Sequence, residues 1–218
     1  MDHATLKARQ REIRDSFPEG LGLRVHRALS WLDRAEREAD DDDARFIFLW
    51  IAFNAAYANE IHDRHLFSEK ALLGHFIGRL VDSDSERLLY RILWDQFPGA
   101  IRLLIDNPYV SGPFWDFQRG EIGEADYRGR FTASRNAAMA AIGRMDTTRV
   151  LTVVFDRLYT LRNQLVHGGA TWNGSVNRSQ VRDGSRIMAH LVPTIILLMM
   201  NNPNTLWGDA AYPVVQSA

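Results

Sequence analysis

An arginine, an asparagine and a histidine stand close together in Arg162-Asn163-Gln164-Leu165-Val166-His167, directly ahead of Gly168-Gly169. These side chains suit one kind of reaction. Cleavage of RNA by its own 2′-hydroxyl needs a base for the hydroxyl proton and an acid for the leaving 5′-oxygen. It also needs a cation for the charge that grows on the phosphate. Imidazole exchanges protons near neutral pH, and guanidinium holds phosphate oxygens bidentately. The set requires no metal and no cofactor. One helix supplies a single histidine, which is thin for both proton roles. Two copies meeting across a two-fold axis would bring two histidines and two arginines around one phosphate.

The helix that must carry these residues is legible. Leu151, Val154, Leu158, Leu161 and Leu165 recur at three- and four-residue steps and predict an amphipathic helix over 147–167, closed by the glycine pair. Asp156, Thr160, Asn163 and His167 then share a polar edge beside the apolar stripe, with Arg162 next to that edge. The C-terminus of such a helix carries partial negative charge and favours cations. The same fact offers a purely structural alternative, in which Arg162 and His167 only complement the helix end.

Two further helices frame this one. Val25, Ala28, Leu29, Leu32 and Ala35 give a single buried stripe over about 23–39, with Arg24, Arg27, Arg34 and Arg37 on the other side. Residues 44–61 are apolar nearly all round, as expected of a central bundle helix, and Asn54 is the polar exception. It reads as a hydrogen-bonded core amide, with support of Arg162 from a neighbouring helix as the functional alternative. Residues 179–201 predict a last long helix through Pro193, and the tail bearing Trp207 and Tyr212 is expected to drape over the surface.

Arg162-Asn163, three residues and His167 together resemble the motif of HEPN domains. Phe48-Leu49-Trp50-Ile51-Ala52-Phe53-Asn54-Ala55-Ala56-Tyr57 is similar to the central helix of the Apea-like HEPN branch. The resemblance covers about 22–62 and 147–202, and 68–145 falls outside it. It implies an all-α, up-and-down four-helix bundle with a helical insertion between its two hairpins. It also implies a metal-independent endoribonuclease that acts on RNA as a homodimer, with Arg162 and His167 catalytic and Asn163 in support. Such proteins serve in toxin–antitoxin or anti-phage systems, so an antitoxin or defence partner protein is expected. The alternative within the resemblance is a non-catalytic module that dimerises or docks a partner protein or a nucleotide.

Composition sets bounds. The 218 residues carry a formal net charge of −1, so no overall basic coat for nucleic acid exists. Lys7 and Lys70 are the only lysines, leaving arginine as the main cation. The absence of cysteine excludes disulfides and thiol catalysis. The N-terminal residues lack a basic leader with an apolar run, and Phe46–Phe53 and Ile195–Met200 fall short of the roughly 20 residues that span a bilayer. A cytoplasmic protein without membrane contact is expected.

Other clusters read as structural. Asp40-Asp41-Asp42-Asp43 lacks the spaced ligands of a calcium loop, and its last Asp is expected to cap the next helix. His62 and His65 stand at a spacing that metal sites use, with no second ligand cluster. Phe114, Trp115 and Phe117 beside Arg119 can stack on bases, but are expected to pack the insertion onto the bundle. Ser83 and Glu86 have the spacing of a capping box.

Overall fold

The structure, a computed structural model, describes residues 1–58, 69–175 and 177–205 and positions 207, 208, 210 and 212. Among these residues there are ten α-helices and no β-strand. The chain is all-α, as its periodicities predict.

Helix α1 (His3–Ile13) lies against α2 (Glu19–Glu36) and buries Leu6. Helix α2 buries the predicted stripe from Val25 to Ala35. Helix α3 (Asp42–Tyr57) runs beside it and buries Phe46, Leu49, Trp50 and Phe53. Its cap is Asp41 rather than the last Asp of the run. The Asp41 carboxylate accepts from Ala44 N at 2.9 Å, while Asp42 and Asp43 already occupy the first turn. Their charges there favour the positive end of the helix dipole.

Helix α10 (Arg178–Asn201) crosses α2 and α3. Among the described residues it is the one helix long and apolar enough to cross a membrane, yet 72% of its apolar window is buried inside the fold. It reads as a core helix. Gly184 permits its close approach to its neighbours. A Cβ there would lie 3.1 Å from Leu161 Cδ2 and 3.2 Å from both Leu158 Cδ2 and Phe46 Cε2. Gly184→Val is therefore expected to cost about 1–3 kcal/mol through overpacking. Thermal unfolding would show this as a fall of roughly 2–4 °C per kcal/mol.

Helix α9 (Thr147–Val166) packs antiparallel to α3. Phe53 stacks on Phe155 at 4.4 Å, and Trp50 meets Tyr159 at 6.1 Å. Its other flank faces α4 (Glu69–Asp82), α6 (Pro98–Asp106) and α8 (Glu124–Gly143). Helix α4 falls within the expected insertion but belongs to the common core. It buries Phe76, Ile77 and Leu80, and the Phe76 ring lies 5.3 Å from Tyr57. The expected capping box does not start its helix at Ser83. Arg87 takes a left-handed conformation (φ 56°), and Asp84 accepts from Leu88 N and Leu89 N, both at 2.8 Å. Helix α5 (Leu88–Arg91) begins there and runs into a π-helical turn over Ile92–Gln96. The tenth helix, α7 (Gly112–Gln118), packs on α8.

Two sequence expectations fail at the chain end, for one reason. Trp207 is buried against Phe76 (5.9 Å) instead of draping over the surface. It covers Arg24, which is 1% exposed rather than on a solvated face. Arg24 Nε donates to the Ala56 carbonyl at 3.0 Å, at the open end of α3, and Nη1 donates to the Gly208 carbonyl at 2.9 Å and to that of Trp207. A helix end leaves carbonyls without partners, and this guanidinium satisfies one of them while tying the tail down.

Candidate active site

The end of α9 is built from local hydrogen bonds. His167 N donates to the Asn163 carbonyl at 3.0 Å, and Ala170 N donates to that of Gln164 at 3.2 Å. Gly168 adopts φ 72°, the left-handed closing conformation that glycine takes without strain. His167 is thus the last residue before the chain turns, with an exposed side chain.

The expected polar edge is present as a surface. Asp156, Thr160, Asn163 and His167 all line one cleft of about 710 Å³. Ser111, Trp115 and Arg119 line it from α7 and the residues that cap its two ends, Arg130 and Ser134 from α8, and Lys70 from α4. The helices between 69 and 145 therefore complete the cleft that α9 begins.

Arg162 is not part of this wall. Residues five apart on a helix point about 140° apart, so Arg162 leaves α9 on the side away from His167. It is half-buried, and its Nε is buried without a partner. Its Nη1 reaches round to the Asn163 side chain and donates to Oδ1 at 2.9 Å. Within one chain the cation meets Asn163, and Asn163 meets the cleft. Asn54 does not join them. The ring pairs place Phe53 level with Phe155, seven residues before Arg162, or roughly 10 Å along the helix. The expected support of Arg162 by Asn54 is corrected accordingly.

The wall carries four cations, Lys70, Arg119, Arg130 and Arg157, against two carboxylates, Asp116 and Asp156, although the whole chain is slightly acidic. Arg119 is engaged by Asp116 (2.6 Å) and Glu121 (2.7 Å), and the Glu121 hydrogen bond raises its pKa. Lys70 lies 3.3 Å from Asp156. Arg130 is exposed and makes no ion pair among the described residues. Burial pushes the Arg157 guanidinium below its ordinary range, and Asp156 counters only part of that. It remains charged, as arginine does in proteins.

Positions around the cleft are pinned by side chains. Gln164 Nε2 donates to the Tyr109 carbonyl at 2.6 Å, Trp115 Nε1 donates to the same oxygen at 2.8 Å, and Asn177 Nδ2 donates to Gln164 Oε1 at 2.7 Å. The turn after the glycines is clasped by the start of α3. Trp172 Nε1 donates to Asp41 Oδ2 at 2.8 Å, Asn173 N to Asp43 Oδ2 at 3.1 Å, and Arg178 Nη1 to Asp43 Oδ2 at 2.6 Å. The Ala44 amide, followed by Trp172, holds Asp41 below the usual carboxylate range. Asp43→Ala removes the acceptor for both Asn173 and Arg178. A loss of about 1–3 kcal/mol is expected, with faster amide hydrogen exchange at Asn173. Unchanged exchange there would show that the clasp does not order the turn.

The aromatic cluster packs differently from expectation. Phe114 meets Trp115 and Tyr127, and Phe117 stacks on Tyr127 at 5.6 Å, so it joins α7 to α8 rather than to the bundle. His62 and His65 lie outside the described residues. Sequence reasoning missed Lys70, Ser111 and Arg157 as cleft residues. Arg157 had a signal: with Thr160 and Gln164 it forms a three- and seven-residue step on the polar edge. Lys70 and Ser111 reach the cleft only through tertiary packing.

No protein-family model, no curated protein and no solved structure matches the chain.

Proposed function

We propose that this chain is a metal-independent endoribonuclease of the HEPN type, active as a homodimer. The observation that supports it best is that His167 and Asn163 share one cleft wall with four cationic side chains in a chain of net charge −1. The four cations outnumber the two carboxylates of the wall, and an excess of one sign in a cleft concentrates the polyanion it binds. Tyr159, 45% exposed, and Trp115 border the same space and offer faces for unstacked bases. Single-stranded RNA is the substrate class, because its 2′-hydroxyl can reach in-line geometry.

In this reading α2, α3, α9 and α10 are the HEPN bundle, and the helices of 69–145 are elaborations that wall the cleft. His167 of one copy takes the proton from the attacking 2′-hydroxyl, and His167 of the second copy gives a proton to the leaving 5′-oxygen. Arg162 orients Asn163 and offers its remaining donors to phosphate at the dimer axis, where the second chain brings its own pair. The products are a 2′,3′-cyclic phosphate and a 5′-hydroxyl. The setting is a cytoplasmic toxin or anti-phage system with a protein partner.

One observation favours a second reading, a non-catalytic module that docks a partner protein or a nucleotide: in a single chain Arg162 and His167 do not converge. The two are separated by incubating the protein with single-stranded RNA in excess chelator while following its oligomeric state by sedimentation. Cleavage that tracks the dimer fraction is expected. RNA left intact at concentrations where the protein is dimeric would leave only the docking module.

A further inference from the structure

Among the described residues two arginines are almost wholly buried, and they are treated in opposite ways. Arg24 donates to three backbone carbonyls. Arg157, also 1% exposed, is under-used. Its Nε has no partner, its Nη2 lies 3.4 Å from Ser134 Oγ, and its nearest carboxylate, Asp156, stands 3.9 Å from Nη1 and is shared with Lys70. Its guanidinium otherwise rests 5.5 Å over the Phe131 ring. Guanidinium has five N–H donors, and a buried charge is costly unless paired. A second buried group in the same cleft is also unsatisfied: Ser111, 0% exposed, has no partner for its hydroxyl. Arg130 adds an exposed charge with no ion pair among the described residues.

We propose that the Arg157 end of the cleft is a phosphate subsite. It binds the non-bridging oxygens of a backbone phosphate through Arg157 and Ser134, with Arg130 closing over them from α8. The site lies ten residues along α9 from His167, roughly 15 Å. It therefore holds a phosphate other than the one being cut, and sets the register of the strand across the histidine. Its assignment to RNA rests on the nuclease reading above, while its preference for a phosphate anion does not.

The test measures binding of a 2′-O-methyl RNA oligonucleotide, which cannot be cleaved by this route, over a range of salt, with inorganic phosphate as competitor. Arg157→Met is expected to weaken oligonucleotide binding about tenfold or more. Arg130→Ala, an exposed change that does not threaten folding, is expected to lower the slope of log K against log salt by about 0.7, one phosphate contact on a single strand. If Arg157→Met fails to fold, Arg130→Ala combined with Ser134→Ala decides. Competition by inorganic phosphate that disappears in these variants supports the subsite. Variants that bind and cleave like the wild type overturn the subsite and leave the nuclease standing. Arg157-dependent binding with no cleavage of ordinary RNA supports the subsite while the nuclease reading fails. Phosphate binding without oligonucleotide binding overturns the RNA assignment.

Discussion

His167→Ala is expected to lower the rate of RNA cleavage in chelator by about 10²–10⁴-fold, the usual contribution of a positioned proton-transfer group. The fold should not suffer, because the imidazole is exposed and its backbone amide, not its side chain, makes the hydrogen bond that closes α9. Melting temperature and oligonucleotide affinity therefore stay near wild-type values while turnover falls. That split separates a chemical role from a structural one. A uniform loss of binding and stability would mean that His167 only completes the helix end. Unchanged turnover would remove it from the reaction. Asn163→Ala is a milder change, since it breaks the link between Arg162 and the cleft while leaving the imidazole in place.

The second large effect concerns stability. Arg24→Met keeps the aliphatic stem but leaves the carbonyls of Ala56, Trp207 and Gly208 without their donor. Ala56 and Trp207 are buried while Gly208 is exposed, and each buried acceptor left alone costs roughly 1–3 kcal/mol, so a total of about 2–6 kcal/mol is expected. For a chain of this size the melting temperature should fall roughly 4–24 °C. Trp207, released from Phe76, should report the change in its fluorescence. A shift within about 2 °C would show that water replaces the guanidinium and that the tail is not held by it.

The contrast between the two arginines explains what sequence alone discloses. Helices α2, α3, α9 and α10 were legible because their signals are local. The Asp run starts α3, although Asp41 and not the expected last Asp is the cap, Gly168 closes α9, and apolar residues recur at three- and four-residue steps. The polar edge of α9 was legible on the same grounds, and its residues do line one cleft. What escaped is what distant segments do to a residue. Arg24 has the helical phase of a surface arginine and is buried because the chain end folds over it. Arg157 sits on a polar edge and is buried because α8 brings Ser134 and Phe131 against it. Asn54 was within reach of Arg162 only while the relative heights of α3 and α9 were unknown. Their antiparallel ring pairs set those heights. Arg162 itself illustrates a limit of spacing, since five residues on a helix turn a pair apart rather than together.

The chemistry of the cut ends bears most directly on the central claim. Mass spectrometry of fragments from a single-stranded RNA treated with the protein in chelator should find 2′,3′-cyclic phosphate at one new end and 5′-hydroxyl at the other. Fragments ending in 3′-hydroxyl and 5′-phosphate would require water, not the 2′-oxygen, as the attacking group, and would contradict the role given to His167.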